Sequence, residues 1–134
     1  MMGPLYRAAD ALRRRLLGED YGRVGEDLAY RYLRRHGCTV VARNYRPRTG
    51  AGEVDVVAWH GGTLVFVEVK TRTRSDYGPP DRAVDGEKRE RLQRGARDYA
   101  RRAGVEWERT RFDVVSVMLT EPVRVEWNRD AFAR

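Results

Sequence analysis

A chain of 134 residues, 41% hydrophobic and 35% charged, fits one soluble domain with one core. Its apolar runs are far too short for a bilayer span, MMGPLYRAADALRRRLL lacks the apolar centre of a secretory signal, and the single cysteine, Cys38, excludes an internal disulfide. A cytoplasmic protein without a membrane partner is therefore expected, and the formal net charge of +7 favours a polyanion, nucleic acid first.

Residues 5–17 predict a short basic helix bearing Arg13, Arg14 and Arg15, so that residues 1–20 extend a single domain over 1–134. Tyr21 to His36 places Val24, Leu28, Ala29, Tyr32 and Leu33 at helical spacing, with Gly37 as the C-terminal cap. Thr39–Tyr45 and Gly52–Trp59 read as strands, His60-Gly61-Gly62 as a turn, and Leu64–Thr71 as the next strand. Arg72 to Val84 is a loop containing Tyr77-Gly78-Pro79-Pro80, after which Asp85 caps a helix over Gly86–Ala103. Its inner face is Leu92, Ala96, Tyr99, Ala100 and Ala103. Arg111–Leu119 and Val123–Trp127 close the chain as a strand pair turned at Glu121-Pro122. Val54, Val56, Val65, Val67 and Val69 line one strand face, and Val57, Trp59, Leu64 and Phe66 the other. Strands apolar on both faces predict an α/β fold: a mixed central sheet flanked by helices, in the order α-β-β-β-α-β-β.

Charges interrupt this pattern at Glu68 and Lys70, inside the apolar run TLVFVEVKTR. A two-residue turn at Gly61-Gly62 makes position 60 face 63, which sets Asp55 across from Glu68 and Glu53 across from Lys70. All four then share one face of the sheet. Carboxylates opposed at roughly 5 Å repel, and a divalent cation turns that repulsion into attraction. Mg²⁺ or Mn²⁺ at Asp55 and Glu68, beside the amine of Lys70, outlines a phosphodiester-hydrolysing site. Glu26, on the border of the first helix's buried stripe, is a candidate third acid, and Lys88 stands on the inward face of the second helix's first turn, where phosphate is favoured. Lys70 and Lys88 are the only lysines among 27 basic residues.

Taken singly, each residue has an ordinary explanation: Glu53 and Lys70 read as a cross-strand ion pair, Glu26 and Lys88 as solvated helix residues. The convergence of Asp55, Glu68 and Lys70 on one face favours a site. His36, His60 and Cys38 lack zinc spacing, no phosphate-binding glycine loop is present, and the aromatic residues are scattered. Arg89, Arg91, Arg94 and Arg97 form a basic helix face that a neighbouring phosphate-cutting site makes useful for tracking a nucleic-acid backbone.

The series of an acid on the first helix, GEVD at Gly52–Asp55 and FVEVK at Phe66–Lys70 resembles the PD-(D/E)xK nuclease pattern, shared by restriction endonucleases and archaeal Holliday-junction resolvases. More closely, GRVGEDLAYRYL, ARNYRPRTGAGEVDVVA, FVEVKTRTRSDYGPPDRAV, EKRERL and RFDVVSV, in this order between Gly22 and Trp127, resemble the bacterial YraN-type family. The resemblance implies a restriction-endonuclease-like fold and an endonuclease-like protein acting on DNA, branched DNA included. It implies metal ligation by Asp55, Glu68 and Glu26, with Lys70 as the catalytic lysine. Beside it, the Val69 carbonyl is expected to help hold the ion, Glu53 to serve as an accessory acid, and Lys88, Arg89 and Arg72 to contact the nucleic acid. Val54 stands where the motif often has proline. Many nucleases of the superfamily act as homodimers. The competing expectations are a nucleic-acid-binding module of the same fold that does not cut, and a protein–protein adaptor whose charged hairpin is an ion-pair network.

Overall fold

The computed structural model describes residues 18–73 and 86–134. The basic helix expected over residues 5–17, the loop around Tyr77-Gly78-Pro79-Pro80 and the Asp85 cap lie outside them.

Helix α1 (Gly18–Arg35) begins three residues ahead of the expected Tyr21. It ends where Gly37 adopts φ +93°, and the His36 amide closes the last turn on the Tyr32 carbonyl at 3.1 Å. Strands β1 (Cys38–Tyr45), β2 (Val54–His60) and β3 (Thr63–Arg72) form a meander. Helix α2 (Gly86–Ala103) and a short 3₁₀ turn at Trp107–Arg109 lead to β4 (Thr110–Met118) and β5 (Arg124–Asn128). The sheet has the order β1-β2-β3-β4-β5, with β3 and β4 parallel and the other neighbours antiparallel. This is the expected α/β sandwich in the expected order. Neither helix among the described residues is long and apolar enough to cross a membrane.

Each face of the sheet carries its own core. Ala29 and Leu33 of α1 pack on Val56, Ala58, Val65, Val67, Val115 and Val117. On the opposite face Leu92, Ala96 and Ala100 of α2 cover Val54, Val57, Leu64, Phe66 and Phe112. Burial of side chains of this size contributes about 1.5–3 kcal/mol each, which is why the central strands read as nearly continuous apolar runs.

Three details depart from the expected faces. Val24 is 46% exposed. Gly25 is the contact residue of that turn, because its bare backbone lies so close to Thr71 that an added Cβ would meet the threonine hydroxyl at 1.8 Å. Ala103 ends α2 exposed, while Gly95 and Asp98 join its buried side. Val54 packs with Val57 on the α2 face and not beside Val56. The cause is a backbone-to-backbone approach just before β2, where Gly52 takes φ +125° and a Cβ on it would fall 2.5 Å from the Gly95 nitrogen. Gly95 in turn leaves room for the Val54 methyls, so α2 is drawn down onto the start of β2.

Candidate active site

The register of the β2–β3 hairpin is the expected one: His60 pairs with Thr63 and Val56 with Val67. Pairing between the two strands stops at Val56–Val67, whereas β3 continues along β4 as far as Arg72. The strands thus part at the position of Asp55. Its Oδ2 accepts the Val69 amide at 2.8 Å, so a carboxylate occupies the fork in place of a backbone partner.

Glu68 meets Asp55 in this fork within hydrogen-bonding reach. Both are pushed upward, Asp55 to about 6 and Glu68 to about 8. Burial is the first cause for each. For Glu68 the Asp55 charge comes next, opposed by Lys88; for Asp55 the Val69 amide pulls downward while Glu26 and Glu53 push upward. Two carboxyl groups that hold their protons more tightly than usual mark a place short of positive charge.

Around the pair lies an open polar cleft of about 260 Å³, lined by Glu26, Glu53, Asp55, Glu68, Val69, Lys88 and Arg91. That is room for several waters or a small polar ligand. Glu26 reaches the cleft from α1, held at that height by the Gly25–Thr71 contact, and Lys88 and Arg91 reach it from α2. Lys70 does not line it. It stands half-buried two residues beyond Glu68 on β3, and its amine is held below the usual lysine range by burial and by the charges of Arg72 and Lys88.

Glu53 is not paired with Lys70. Its carboxylate lies 3.3 Å from Arg46 Nη2 and 3.3 Å from Arg91 Nη2, and its amide donates to the Arg91 carbonyl at 3.1 Å. The turn at Gly52 carries it out of the ladder toward α2 before it can face β3. The basic face of α2 is also engaged: Arg89 stacks over Phe132, Arg97 over Trp107, and Arg94 pairs with Glu90. Arg89 therefore does not border the cleft, while Arg72 acts next to it on Lys70. His60, His36 and Cys38 are taken up in packing: Arg111 Nη2 lies 3.2 Å from His60 Nδ1, His36 Nδ1 lies 2.7 Å from the Tyr32 carbonyl, and Cys38 is buried.

Among the described residues no three His, Cys, Asp or Glu side chains gather closely enough to hold a metal ion by themselves. The acids that the fork offers a cation are accordingly Asp55 and Glu68, with Val69 beside them and Glu26 a further acid in the cleft lining. Hard oxygen donors of this kind and number suit Mg²⁺ or Mn²⁺, which keep water and phosphate in the remaining positions.

Residues 25–117 match the model of Uncharacterised protein family UPF0102. The chain belongs to this family. A UPF0102 protein of Solibacter usitatus (strain Ellin6076) is 63% identical over 132 residues, 98% of this chain and 100% of that protein. A UPF0102 protein of Rhodococcus jostii (strain RHA1) is 47% identical over 114 residues, 83% of this chain and 94% of that protein. One of Alkaliphilus metalliredigens (strain QYMF) is 36% identical over 116 residues, 87% of this chain and 100% of that protein. The UPF0102 match runs from Gly25, the contact that seats Glu26, through β4, and so takes in every residue that lines the cleft.

Two groups had no clear signal in the sequence. Arg46 and Arg91 come together only through Glu53, across a turn and a helix. Asp113, fully buried in β4, gathers the Arg111 Nε and Nη2, the Trp127 indole N–H and the Asp130 amide within 2.8–2.9 Å. Its one sequence trace is a charge inside the apolar strand TRFDVVSVM, the same kind of sign that marks Glu68.

Proposed function

We propose that the protein is a metal-dependent endonuclease that hydrolyses phosphodiester bonds in DNA. The reading is carried by one observation: two buried carboxylates, Asp55 and Glu68, opposed in the fork between β2 and β3 and both pushed above their ordinary range. A purely structural hairpin gains nothing from that pairing, because its repulsion is relieved only by protons or by a cation. The net charge of +7 supports a nucleic-acid partner, since salt-sensitive attraction to phosphate follows from it.

Asp55, Glu68 and the Val69 carbonyl would hold Mg²⁺ or Mn²⁺, with Glu26 a further acid lining the same cleft. A bound divalent ion supplies Lewis acidity toward a phosphoryl oxygen and lowers the pKa of water. Hydrolysis joins a water oxygen to phosphorus and expels a sugar oxygen, which leaves with a proton. Glu68 would take a proton from the attacking water. Lys70, outside the cleft lining but within electrostatic reach of Glu68 and Lys88, would turn toward that water and offset the charge that develops on the phosphoryl oxygens. Lys88 meets a phosphate entering from the α2 side.

The test needs no substrate. Thermal unfolding is followed with and without millimolar Mn²⁺ or Mg²⁺ for the wild type and Asp55→Asn, a change that keeps an acceptor for the Val69 amide. A ligand bound only by the native state stabilises it by about 2.7 kcal/mol at one hundred times its dissociation constant. An upward shift in the wild type that disappears in Asp55→Asn is the expected result. No shift in the wild type, together with a destabilised mutant, makes Asp55 structural and ends the nuclease reading. A shift without metal-dependent cleavage on a panel of linear and branched DNA leaves a binding module of the same fold.

A further inference from the structure

We propose that Arg46 and Arg91, tied together by Glu53, form a second phosphate subsite that receives a DNA backbone phosphate neighbouring the one cut at Asp55 and Glu68. The inference rests on the nuclease reading and states how the same site grips its substrate.

Each arginine gives Glu53 one contact. Arg46 Nη2 lies 3.3 Å from Oε1 and Arg91 Nη2 lies 3.3 Å from Oε2. Both are longer than the roughly 2.7–2.9 Å of a strong charge-assisted bond, and neither is the two-point fork that arginine makes with a committed carboxylate partner. A guanidinium carries five N–H donors, so each retains most of its donors for something else. The side chains are 69% exposed for Arg46 and 54% for Arg91, against 27% for Glu53, so the acid lies beneath and the two cations stand at the surface. Arg91 borders the cleft together with Asp55 and Glu68.

Structural duty does not account for the arrangement. Exposed ion pairs of this kind contribute little to stability. The seat of Glu53 is already fixed by its own backbone, through the amide bond to the Arg91 carbonyl at 3.1 Å and the Gly52–Gly95 approach. The side-chain cluster adds to that seat a local excess of one positive charge, two guanidiniums over one carboxylate, at the edge of the cleft. Nearby arginines do not share the arrangement: Arg43 is held by Asp27 at 2.6 Å and lies over Tyr30, Arg89 lies over Phe132, and Arg97 lies over Trp107. A planar fork that presents several donors at a cleft edge matches a phosphodiester's two unesterified oxygens. An enzyme that cuts within a strand always has such a phosphate next to the scissile one.

The experiment measures binding of the full chain to a fluorescent DNA duplex across a salt series, without divalent metal. The variants are Arg46→Ala, Arg91→Ala and Arg46→Lys, with Arg35→Ala, at the far end of α1, as the control. Arg46→Ala and Arg91→Ala are expected to flatten the dependence of log affinity on log salt by about 0.9 each, the signature of one lost phosphate contact. Arg46→Lys keeps the slope and binds several-fold more weakly, because the charge remains and the fork is lost. Arg35→Ala matches the wild type. Arg46 is well exposed, so its variant folds and decides the matter even if Arg91→Ala does not. Wild-type binding with an unchanged slope in Arg46→Ala overturns the subsite and leaves the nuclease reading standing. Absence of salt-sensitive binding in the wild type overturns both.

Discussion

Glu68→Gln is expected, on the nuclease reading proposed above, to cut DNA about a hundredfold to a thousandfold more slowly than the wild type and, without metal at pH 8, to unfold at a higher temperature. Loss of a catalytic group usually costs activity alone; here the same change relieves the folded state. Glu68 is displaced from 4.5 to about 8 and Asp55 from 3.8 to about 6, so between about pH 4 and pH 8 the folded chain binds more protons than the unfolded one. Stability of the metal-free wild type therefore falls as pH rises through this window, having been complete below the unfolded values. Asp55 alone, displaced from 3.8 to about 6, accounts for on the order of 3 kcal/mol by pH 8. A glutamine at position 68 takes no part in the repulsion, so the variant's stability curve is flatter above pH 5. Saturating Mg²⁺ or Mn²⁺ flattens the wild-type curve and leaves the variant's unchanged. Melting temperatures at half-unit steps from pH 4 to 9, with and without metal, check all of these. A Glu68→Gln protein that melts below the wild type at pH 8 would mean that Glu68 is a structural acid.

The largest loss of stability is expected at Asp113, fully buried in β4 and outside the cleft lining. Asp113→Ala leaves the Arg111 guanidinium, the Trp127 indole N–H and the Asp130 amide without their acceptor, and the Arg111 side chain is only 19% exposed. Removing one partner of a buried ion pair costs about 3–5 kcal/mol, more than deleting two neutral partners together. For a chain of this length that lowers the melting temperature by roughly 10–15 °C. Asp113→Asn, which keeps an acceptor but loses the charge, falls between the two. The metal-induced shift is expected to persist in both variants, because Asp113 takes no part in lining the cleft around Asp55 and Glu68. Thermal unfolding with and without Mn²⁺ separates these effects, and a loss of the metal shift in Asp113→Asn would join the two sites.

The hairpin was the most legible part of the chain, because Gly61-Gly62 admits a two-residue turn and a strand has a period of two. Those facts are enough to put Asp55 opposite Glu68. They fail two residues earlier, where Gly52 leaves the extended region and Glu53 and Val54 follow it toward α2; a period of two holds only while the ladder does. Both layers of the core were readable from valines on alternate faces. Val24 misled because helical spacing alone does not reveal that the neighbouring glycine makes the close contact. Arg46 and Arg91 were unreadable as a pair, since their meeting depends on how α2 docks, which is set by Gly95 and not by any local pattern. Asp113 carried the same sign as Glu68, a charge among valines, and chemistry distinguishes the two only once the partners are known: donors surround Asp113, and another acid faces Glu68.

The two-residue connection between β2 and β3 also orders events in time. A hairpin so joined closes within microseconds, whereas α2 starts only at Gly86, well along the chain from the end of β3 at Arg72. The acids therefore meet in water, and burial, the first cause of their displacement, comes only when α2 closes over them. Between pH 5 and 8 the folding rate should then stay nearly level while unfolding speeds up, because the cost arises after the hairpin has formed. Stopped-flow measurements across that range show where the burden falls; a pH dependence confined to folding would mean that the carboxylates are already buried at the barrier.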